Sequence, residues 1–471
     1  MNASSSILDV LLINPPWTRK GGNIWKTVAS VMPPHGLAVI AAVLEEAGSR
    51  VRILDTHALR IATEDLGEKL RTGVEAPPKF IGLTGSTLNI SYSYETAQIA
   101  RSVFPDAKIV LGGVHASEKP QEAIDQPFID FVIRGEGEFA FRELVSGKDP
   151  SAIQGLSWRR DGKAVHNPDR ELIADLDVLP MAAYHLLPMD RYFPAVGSYK
   201  NLPAISMVTS RGCPGKCTFC YQPFGSLIRQ RSPGKIFDEM THLIRTYGIR
   251  EISFYDDNFT TLKPRIRELC RMLIDAKVPV TWSCFSRVDW ADEGLLKTMR
   301  RAGCRQVMYG IESGDQRILD VIRKQTTLEK IRRAVQWTRD ARIEVRAAFI
   351  FGNPGETEET MKKTIDFAIE LDPDVAIFNV VVPNPGTQMY DWAVKNGVLK
   401  TEDWSEYDLT KPVMTLSEVS GEKVQAAYRL AYRKFYMRPR YVLKKLFGVR
   451  TVADVRSIFS GLKGVLNVVG R

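Results

Sequence analysis

Two series of alternating strand-like and helix-like segments constrain the fold of this chain more than any other feature of its sequence. The first series has five short apolar runs, at residues 8–13, 51–55, 80–85, 108–112 and 131–134, with helical patterns between them. Because each strand is followed by a helical crossover, the series predicts a parallel sheet covered on both faces. We expect residues 1–150 to form a doubly wound, flavodoxin-like α/β domain whose ligand lies beyond the carboxyl ends of the strands.

The second series follows a proline-containing connecting segment at residues 151–200. Its six strand-like runs lie at residues 205–210, 251–255, 280–285, 306–311, 345–351 and 375–382, and a helical pattern follows each one. Six consecutive units predict a curved parallel sheet, a partial TIM-like (β/α)6 barrel over residues 201–398, with functional groups at the carboxyl ends of its strands. Residues 399–471 are expected to form a helical, basic C-terminal region.

The net charge of +9 is concentrated at the C-terminal end of the chain. Residues 433–471 hold ten lysines and arginines but a single acid, Asp454. This pattern predicts either contact with an anionic surface, such as the inner face of a membrane, or a helix packed on the barrel with solvated lysines. No run of 18 apolar residues and no signal peptide is recognisable, so we expect a cytoplasmic protein. The rest of the chain has 54 basic and 54 acidic residues, and because it is neutral we expect no nucleic-acid binding.

Three cysteines lie within eight residues, directly after the first strand of the second series. Cys213, Cys217 and Cys220 have the spacing C-x3-C-x2-C. Three thiolates can hold three irons of a [4Fe–4S] cubane and leave the fourth iron open for a chelating ligand. A structural zinc site is the alternative, but the nearest histidines, His185 and His242, lack the spacing of a fourth ligand. The remaining cysteines lie in apolar surroundings and are expected to be buried.

The segment around these cysteines, with Arg211-Gly212 before the first and Phe219 and Tyr221 flanking the last, resembles the signature of the radical S-adenosylmethionine (SAM) superfamily. The resemblance extends over residues 203–390. It implies that SAM chelates the open iron through its amino and carboxylate groups. It also implies that an electron from the cluster cleaves SAM to a radical that abstracts a hydrogen atom.

The same resemblance assigns SAM contacts to the later strand ends. Residues 255–259 (YDDNF) would meet the amino group, although Asp and Asn there also suit a turn or a helix cap. Arg287 would meet the carboxylate unless it forms a surface ion pair. Residues 309–314 (YGIESG) would meet the ribose, and residues 351–357 (FGNPGET) would meet adenine or the substrate. The predicted SAM-binding residues are Phe219, Asp256, Asp257, Asn258, Ser283, Arg287, Glu312 and Gly352.

A doubly wound domain ahead of such a core resembles the cobalamin-binding class of radical SAM enzymes. Its motifs here are residues 14–16 (NPP), 33–37 (PPHGL), 112–115 (GGVH) and 134–138 (RGEGE). Where many cobalamin domains offer cobalt a histidine, this chain has Asn14-Pro15-Pro16, so no protein histidine is expected on cobalt. The predicted cobalamin contacts are Asn14, Pro15, His35, Thr84, Ser86, Thr87, Gly112, Gly113, His115 and Glu136.

The resemblance implies an enzyme that uses a [4Fe–4S] cluster, SAM and cobalamin to methylate an unactivated carbon of a small, possibly hydrophobic molecule. A flavodoxin or ferredoxin is the expected reductant. The chain also resembles the anaerobic magnesium-protoporphyrin monomethyl ester cyclase group, so an oxidative cyclisation or rearrangement without methyl transfer is the alternative. A non-catalytic cobalamin or iron–sulfur protein is the third possibility.

Overall fold

The computed structural model describes residues 8–17, 30–447 and 452–469. The described residues form two compact units, one from residues 8–17, 31–192 and 403–405 and the other from residues 193–402, 406–447 and 452–469. The start of the chain, on which the expectation of no signal peptide rests, and parts of the basic C-terminal region lie outside the described residues. Within them, every helix is too short or too polar to cross a bilayer.

A seven-stranded sheet forms the first unit, with its strands in the order β2-β1-β3-β4-β5-β6-β7. Strands β1 to β5 pair in parallel, which confirms the predicted flavodoxin-like arrangement. The strands are β1 (Val10–Asn14), β2 (Val51–Asp55), β3 (Phe80–Thr84), β4 (Lys108–Gly112), β5 (Phe131–Ile133), β6 (Leu156–Arg160) and β7 (Lys163–His166). The helices are α1 (His35–Glu46), α2 (Thr63–Gly73), α3 (Ile90–Val103), α4 (Val114–Glu118), α5 (Pro120–Asp125) and α6 (Gly137–Val145).

Strands β6 and β7 form an antiparallel hairpin inside the segment that the sequence rhythm suggested was only a connection. The hairpin pairs with β5 and extends the sheet by two strands. Its turn is Asp161-Gly162, and both residues have positive φ, 51° and 74°. A two-residue turn of this kind matches the twist of the flanking strands, and Asp-Gly is among the sequences that favour it. The dipeptide was therefore the sequence signal for the hairpin.

A six-stranded parallel sheet, in the order β15-β14-β13-β12-β11-β8, forms the centre of the second unit. It confirms the predicted partial barrel, because each strand lies beside its predecessor in the series. The strands are β8 (Ala204–Met207), β11 (Glu251–Phe254), β12 (Thr281–Ser286), β13 (Cys304–Glu312), β14 (Glu344–Phe351) and β15 (Val375–Val380), with the short pair β9 (Ser210–Arg211) and β10 (Arg229–Gln230). The helices of the series are α7 (Pro233–Tyr247), α8 (Lys263–Asp275), α9 (Glu293–Arg301), α10 (Gln316–Val321), α11 (Leu328–Asp340), α12 (Glu358–Leu371) and α13 (Gln388–Lys395).

A buried ionic cluster closes the amino end of this partial barrel. Arg305 donates to Glu251 at 2.7 Å and to Glu344 at 2.6 Å, so it links strands β11, β13 and β14. Glu251 also accepts hydrogen bonds from the backbone N–H groups of Lys200 and Asn201, both at 3.0 Å. The opposite, carboxyl end of the strands is the one that carries the cysteine loop.

The C-terminal region is helical, as expected, and comprises α14 (Gly421–Tyr436), α15 (Pro439–Phe447) and α16 (Val452–Val469). Helix α14 covers the free edge of β15 through two tyrosines. The Tyr436 hydroxyl donates to the Ala376 carbonyl at 2.6 Å and accepts from the Ala376 N–H at 3.2 Å. Tyr432 makes the same pair of contacts with Phe378, at 3.2 and 3.3 Å. Side-chain hydroxyls thus satisfy backbone groups that a seventh strand would otherwise bind.

Candidate functional site

The three clustered cysteines lie in a loop that the antiparallel pair β9–β10 closes at its base. Gly212 opens the loop at φ 93°, and an added Cβ would lie 2.2 Å from the Leu227 carbonyl oxygen. Only glycine fits there, because other residues rarely adopt this φ and would also meet the carbonyl. The Gln222 amide ties the loop together by donating to the carbonyls of Cys213, at 3.0 Å, and Gly215, at 2.5 Å.

The thiols of this loop influence one another and face two cations. Burial, together with the charges of Cys217 and Cys213, raises the pKa of Cys220 to about 12. Burial likewise raises the pKa of the Cys213 thiol. Arg287 donates to the Cys217 sulfur at 3.3 Å. The Lys324 charge opposes the rise at Cys220, so positive charge is already in place beside the sulfurs.

This arrangement fits an iron–sulfur cluster better than it fits any other metal group. In the described part of the chain, no three cysteine, histidine or acidic side chains already stand in metal-ligating geometry. Bound iron, however, favours deprotonated thiolates and offsets the burial that raises the pKa of Cys213 and of Cys220. Three sulfur donors also leave one iron of a cubane open. The other cysteines, Cys270, Cys284 and Cys304, are buried as expected.

Asp256 braces the strand that leads into the cysteine loop. Its fully buried carboxylate accepts hydrogen bonds from the Thr209 N–H and hydroxyl, both at 2.6 Å, and from the Ser210 hydroxyl at 2.7 Å. It also pairs with the Arg265 guanidinium at 3.3 Å. With four donors on two oxygens, Asp256 has little capacity left for a ligand. Thr209 and Arg265 were not recognised from the sequence, where nothing marks them.

The two residues after Asp256 are placed differently. Asp257 is exposed, and the Gly212 N–H donates to it. Burial and the Asp256 charge nevertheless raise the pKa of Asp257. Asn258 is buried, and its Oδ1 accepts a hydrogen bond from the backbone N–H of Arg287 at 3.3 Å. Its Nδ2 has no hydrogen-bond partner in the described residues. A buried amide donor without an acceptor is unfavourable unless a ligand completes it.

Arg287 and Glu312, predicted to meet different parts of SAM, lie close together around Lys324. Arg287 bonds to Asp289 at 2.7 Å as well as to the Cys217 sulfur. Glu312 forms a buried ion pair with Lys324 at 2.7 Å. Burial lowers the pKa of Lys324, but the charges of Glu312 and Cys217 outweigh it and leave the pKa raised. No sequence pattern pointed to Lys324.

The remaining predicted SAM residues are spread over three elements. Ser283 is buried and donates to the Ser253 hydroxyl at 3.0 Å. Phe219 is half-buried in the cysteine loop. Gly352 has φ 86°, and the group that approaches it is Val424 of α14, 3.2 Å from the position of an added Cβ. Its turn is held by the buried Glu356, which accepts from the N–H groups of Gly352 at 2.5 Å and Asn353 at 3.0 Å.

In the first unit, the predicted cobalamin residues lie at the carboxyl edge of the sheet. Asn14, Thr84, Ser86 and Gly112 are half-buried there. Gly113 has φ 100°, and an added Cβ would lie 2.6 Å from the Gly85 carbonyl oxygen. The close backbone approach that this glycine permits is therefore to the neighbouring loop.

Several other residues of that prediction are occupied by protein contacts. The buried His115 places Nδ1 3.2 Å from the Thr87 hydroxyl and Nε2 3.3 Å from Glu122 Oε1. The Trp404 indole N–H donates to both oxygens of Glu122 at 3.2 Å. The buried Glu136 accepts the Ile173 N–H at 2.6 Å. Pro15 is buried, and His35 begins α1 half-buried.

A network around Asp55 also holds this edge of the sheet. Asn14 donates to Asp55 at 2.8 Å, and the Tyr192 hydroxyl donates to it at 2.7 Å. Tyr192 comes from the segment that the sequence suggested was a connection. The carboxyl edge of β1 and β2 thus depends on a residue that sequence reasoning missed.

Each of the two units contains a region that matches a known protein family. The sequence model described as Radical SAM superfamily matches residues 207–368, and the one described as B12 binding domain matches residues 24–145. The chain is 34% identical to an uncharacterized methyltransferase of Pyrococcus horikoshii, over 94% of this chain and 95% of that protein. It is 30% identical to the anaerobic magnesium-protoporphyrin IX monomethyl ester cyclase of Rubrivivax gelatinosus, over 92% and 78%.

A solved structure shares the fold. The radical S-adenosylmethionine methyltransferase TsrM from Kitasatospora setae, with cobalamin and a [4Fe–4S] cluster bound, superposes with a TM-score of 0.67. The match covers 84% of this chain and 76% of TsrM at 22% sequence identity.

Proposed function

Because the chain belongs to the radical SAM superfamily and carries a B12-binding domain, we propose that it transfers a methyl group to an unactivated carbon of a small molecule. The observation that carries this proposal is the union of both domains in one chain with a methyltransferase relative that is similar over nearly its whole length. When bound, the cluster supplies the electron that cleaves SAM, and cobalamin supplies the methyl group.

Cys213, Cys217 and Cys220 are the proposed cluster ligands. Three thiolates place negative charge in a partly buried loop, and Arg287 with Lys324 supplies compensating positive charge. Hydrogen bonds to the sulfurs and neighbouring charge tune such sites. In this proposal Arg287 therefore binds the Cys217 sulfur while it keeps its partly buried ion pair with Asp289.

For SAM we propose that Asp257 and Asn258 face the ligand and that Asp256 positions them. Asp257 keeps an exposed carboxylate beside the cysteine loop, and Asn258 has an amide donor available. Asp256 is already saturated by Thr209, Ser210 and Arg265. The proposed roles of Phe219, Ser283, Glu312 and Gly352 stay as predicted; Glu312 would have to bind ribose while it remains paired to Lys324.

For cobalamin we propose contacts with Asn14, Thr84, Ser86 and Gly112, the half-buried residues at the carboxyl edge of the first sheet. His115 is unsuited to bind cobalt, because each of its ring nitrogens lies within hydrogen-bond distance of a side-chain oxygen. The expectation that no protein histidine binds cobalt therefore stays part of the proposal.

The decisive experiment is anaerobic reconstitution followed by iron, sulfide and cobalt analysis and an assay for 5′-deoxyadenosine formed from SAM. Wild-type protein should form this product only with a reductant, and a Cys217→Ala variant should form none. The buried Cys270→Ala variant is the matched control and should behave like wild type. If fully loaded wild-type protein formed no 5′-deoxyadenosine, the proposed radical SAM activity would be excluded.

The cyclase relative supports a second candidate, oxidative cyclisation or rearrangement without methyl transfer. Methylation adds one methylene to the mass of the substrate, and deuterium from methyl-labelled SAM appears in the product. Cyclisation does neither. Mass spectrometry of small molecules incubated with loaded enzyme and labelled SAM separates the two. A flavodoxin or ferredoxin is the proposed reductant, since both are low-potential carriers.

We also propose contact of the C-terminal helices with an anionic membrane surface. Large apolar side chains are exposed there, among them Leu443 and Phe447 of α15 and Phe459, Leu462 and Leu466 of α16. The last three recur at spacings of three and four, so they share one helix face. Exposed lysines and arginines accompany them, the pattern of helices that lie on lipid headgroups.

Co-sedimentation with vesicles that contain phosphatidylserine tests this contact. A Phe447→Asp/Phe459→Asp variant should bind at least tenfold more weakly than wild type, whereas Val394→Asp, an exposed apolar position on α13, should not differ. Equal binding of all three proteins would remove the proposal.

A further inference from the structure

Among the residues that the structure describes, one cation on the concave face of the partial barrel has no acidic partner. Arg346 is in β14, where alternation turns Val345, Ala347 and Phe349 toward the covering helices and leaves Arg346 on the inner side. In the described residues its guanidinium forms no ion pair, and its Nε makes no hydrogen bond. Burial lowers the pKa of Arg346, and the nearby hydroxyls of Tyr255, Tyr436 and Tyr432 offset this only in part.

Three other cations of the second unit each pair with an acid. Arg305 pairs with two glutamates, Lys324 with Glu312, and Arg287 with Asp289. Taking a cation out of water is unfavourable unless an anion accompanies it. Arg346 is therefore a buried cation without a neutralising acid, unlike Arg305, Lys324 and Arg287.

Glu251 and Glu344, the acids of the buried cluster at the amino end of the barrel, cannot supply the missing charge. Glu251 is occupied by Arg305, by two backbone N–H groups and by the Thr281 hydroxyl at 3.1 Å. Glu344 is occupied by Arg305 and by the Lys200 ammonium at 2.5 Å. Arg346 thus stands one layer above acids that are already saturated.

The surroundings of Arg346 suit the rest of a small molecule. A row of partly exposed, mostly apolar side chains lines the same inner face: Tyr255, Phe285, Met308, Ile350 and Asn379. Tyr255 packs edge-on against Phe285, with ring centroids 5.2 Å apart. The Asn379 Oδ1 has no hydrogen-bond partner in the described residues. Apolar walls with a few unpaired polar groups are typical of small-molecule sites.

We propose that Arg346 recognises an oxyanion of the substrate, a carboxylate or a phosphate-type group, bound on this concave face. The inference rests on the proposed function, because it assumes that a small molecule enters the partial barrel. A planar guanidinium binds either oxyanion through two parallel hydrogen bonds. The substrate class is accordingly an anion with an apolar body.

Thermal unfolding of the full chain, titrated with propionate or inorganic phosphate at constant ionic strength, tests the assignment without turnover. At least one of the two anions should stabilise wild type saturably, since a ligand of the folded state raises the melting temperature. The apparent dissociation constant should rise at least tenfold in Arg346→Met and less in Arg346→Lys, which keeps the charge. Arg245→Met, an exposed arginine of α7, should match wild type.

Three results would overturn the proposal. One is an equal response of Arg346→Met and wild type to both anions. Another is a saturable response to neither anion in wild type. The third is a tenfold loss of SAM binding to the reconstituted Arg346→Met protein with the propionate response intact, which would assign Arg346 to the SAM carboxylate. Failure of wild type to form 5′-deoxyadenosine would instead refute the proposed function, and the anion titration would still report on Arg346.

Discussion

The buried Glu356 makes the stability of the folded chain depend on pH, and one substitution should remove this dependence. Burial raises the pKa of Glu356 to about 8, from an ordinary value of 4.5, even though the Gly352 and Asn353 N–H groups favour the ionised form. The folded chain therefore holds this carboxyl protonated where the unfolded chain ionises it. Its stabilising contribution is complete below about pH 4.5 and is lost as the pH rises through about 8.

The size of the effect follows from the separation of the two pKa values. Between them, each pH unit costs about 1.4 kcal/mol of unfolding free energy. From pH 5.5 to 7.5 the loss is therefore about 3 kcal/mol. Glu356→Gln should remove this slope, because the amide stays neutral and its carbonyl can still accept from both N–H groups.

Calorimetric melting temperatures at pH 5.5, 6.5 and 7.5 measure the difference. At each step to higher pH, the melting temperature of Glu356→Gln should rise relative to that of wild type. The melting temperature of Glu268→Gln, at an exposed position of α8, should follow wild type throughout. Parallel pH profiles for Glu356→Gln and wild type would refute the reasoning, because they would mean that Glu356 is ionised in the folded protein.

Three further substitutions test other parts of the site and its support. Gly212→Ala should abolish iron binding while circular dichroism stays native, since the added Cβ meets a carbonyl inside the loop; normal iron content would contradict the loop geometry. Asp256→Ala should cost about 3–5 kcal/mol of unfolding free energy by leaving Arg265 buried without its acid, and a loss under 1 kcal/mol in denaturant titration would show that the brace is dispensable. Tyr436→Phe should cost about 1–3 kcal/mol for each backbone group of Ala376 that it leaves unsatisfied, and an unchanged melting temperature would show that water replaces the hydroxyl.

Much of the architecture could be predicted because strand and helix periods are local properties of the sequence. All eleven strands of the two predicted series form, and the cysteine loop follows the strand that was expected to lead into it. The hairpin of β6 and β7 was missed because its strands, LSWRR and KAVH, carry charged residues and lack a continuous apolar run. Its local signal is the Asp161-Gly162 turn, which lies in a proline-containing segment.

The site was less predictable, because burial and pairing depend on residues far away in sequence. Nothing local distinguishes Asp256, which is saturated by a loop 47 residues earlier, from the exposed Asp257. His115 was predicted to contact cobalamin, and its Nε2 faces a glutamate that also accepts from the Trp404 indole. Arg346 is one arginine among many until the strand register places it beside Met308, one layer above the occupied Glu344.

The tyrosines of α14 also determine how the barrel's outer strand meets other molecules. An uncovered strand edge is a template on which another chain can add a strand. Four residues of helix rise about 6 Å and two residues of strand about 6.6 Å, so Tyr432 and Tyr436 match two successive outward-facing positions of β15. The two phenol groups thereby occupy backbone groups of β15 to which another strand would otherwise bind. A chain that ended before Tyr432 would bare the β15 edge, and its characteristic failure would be strand-mediated self-association of otherwise folded molecules.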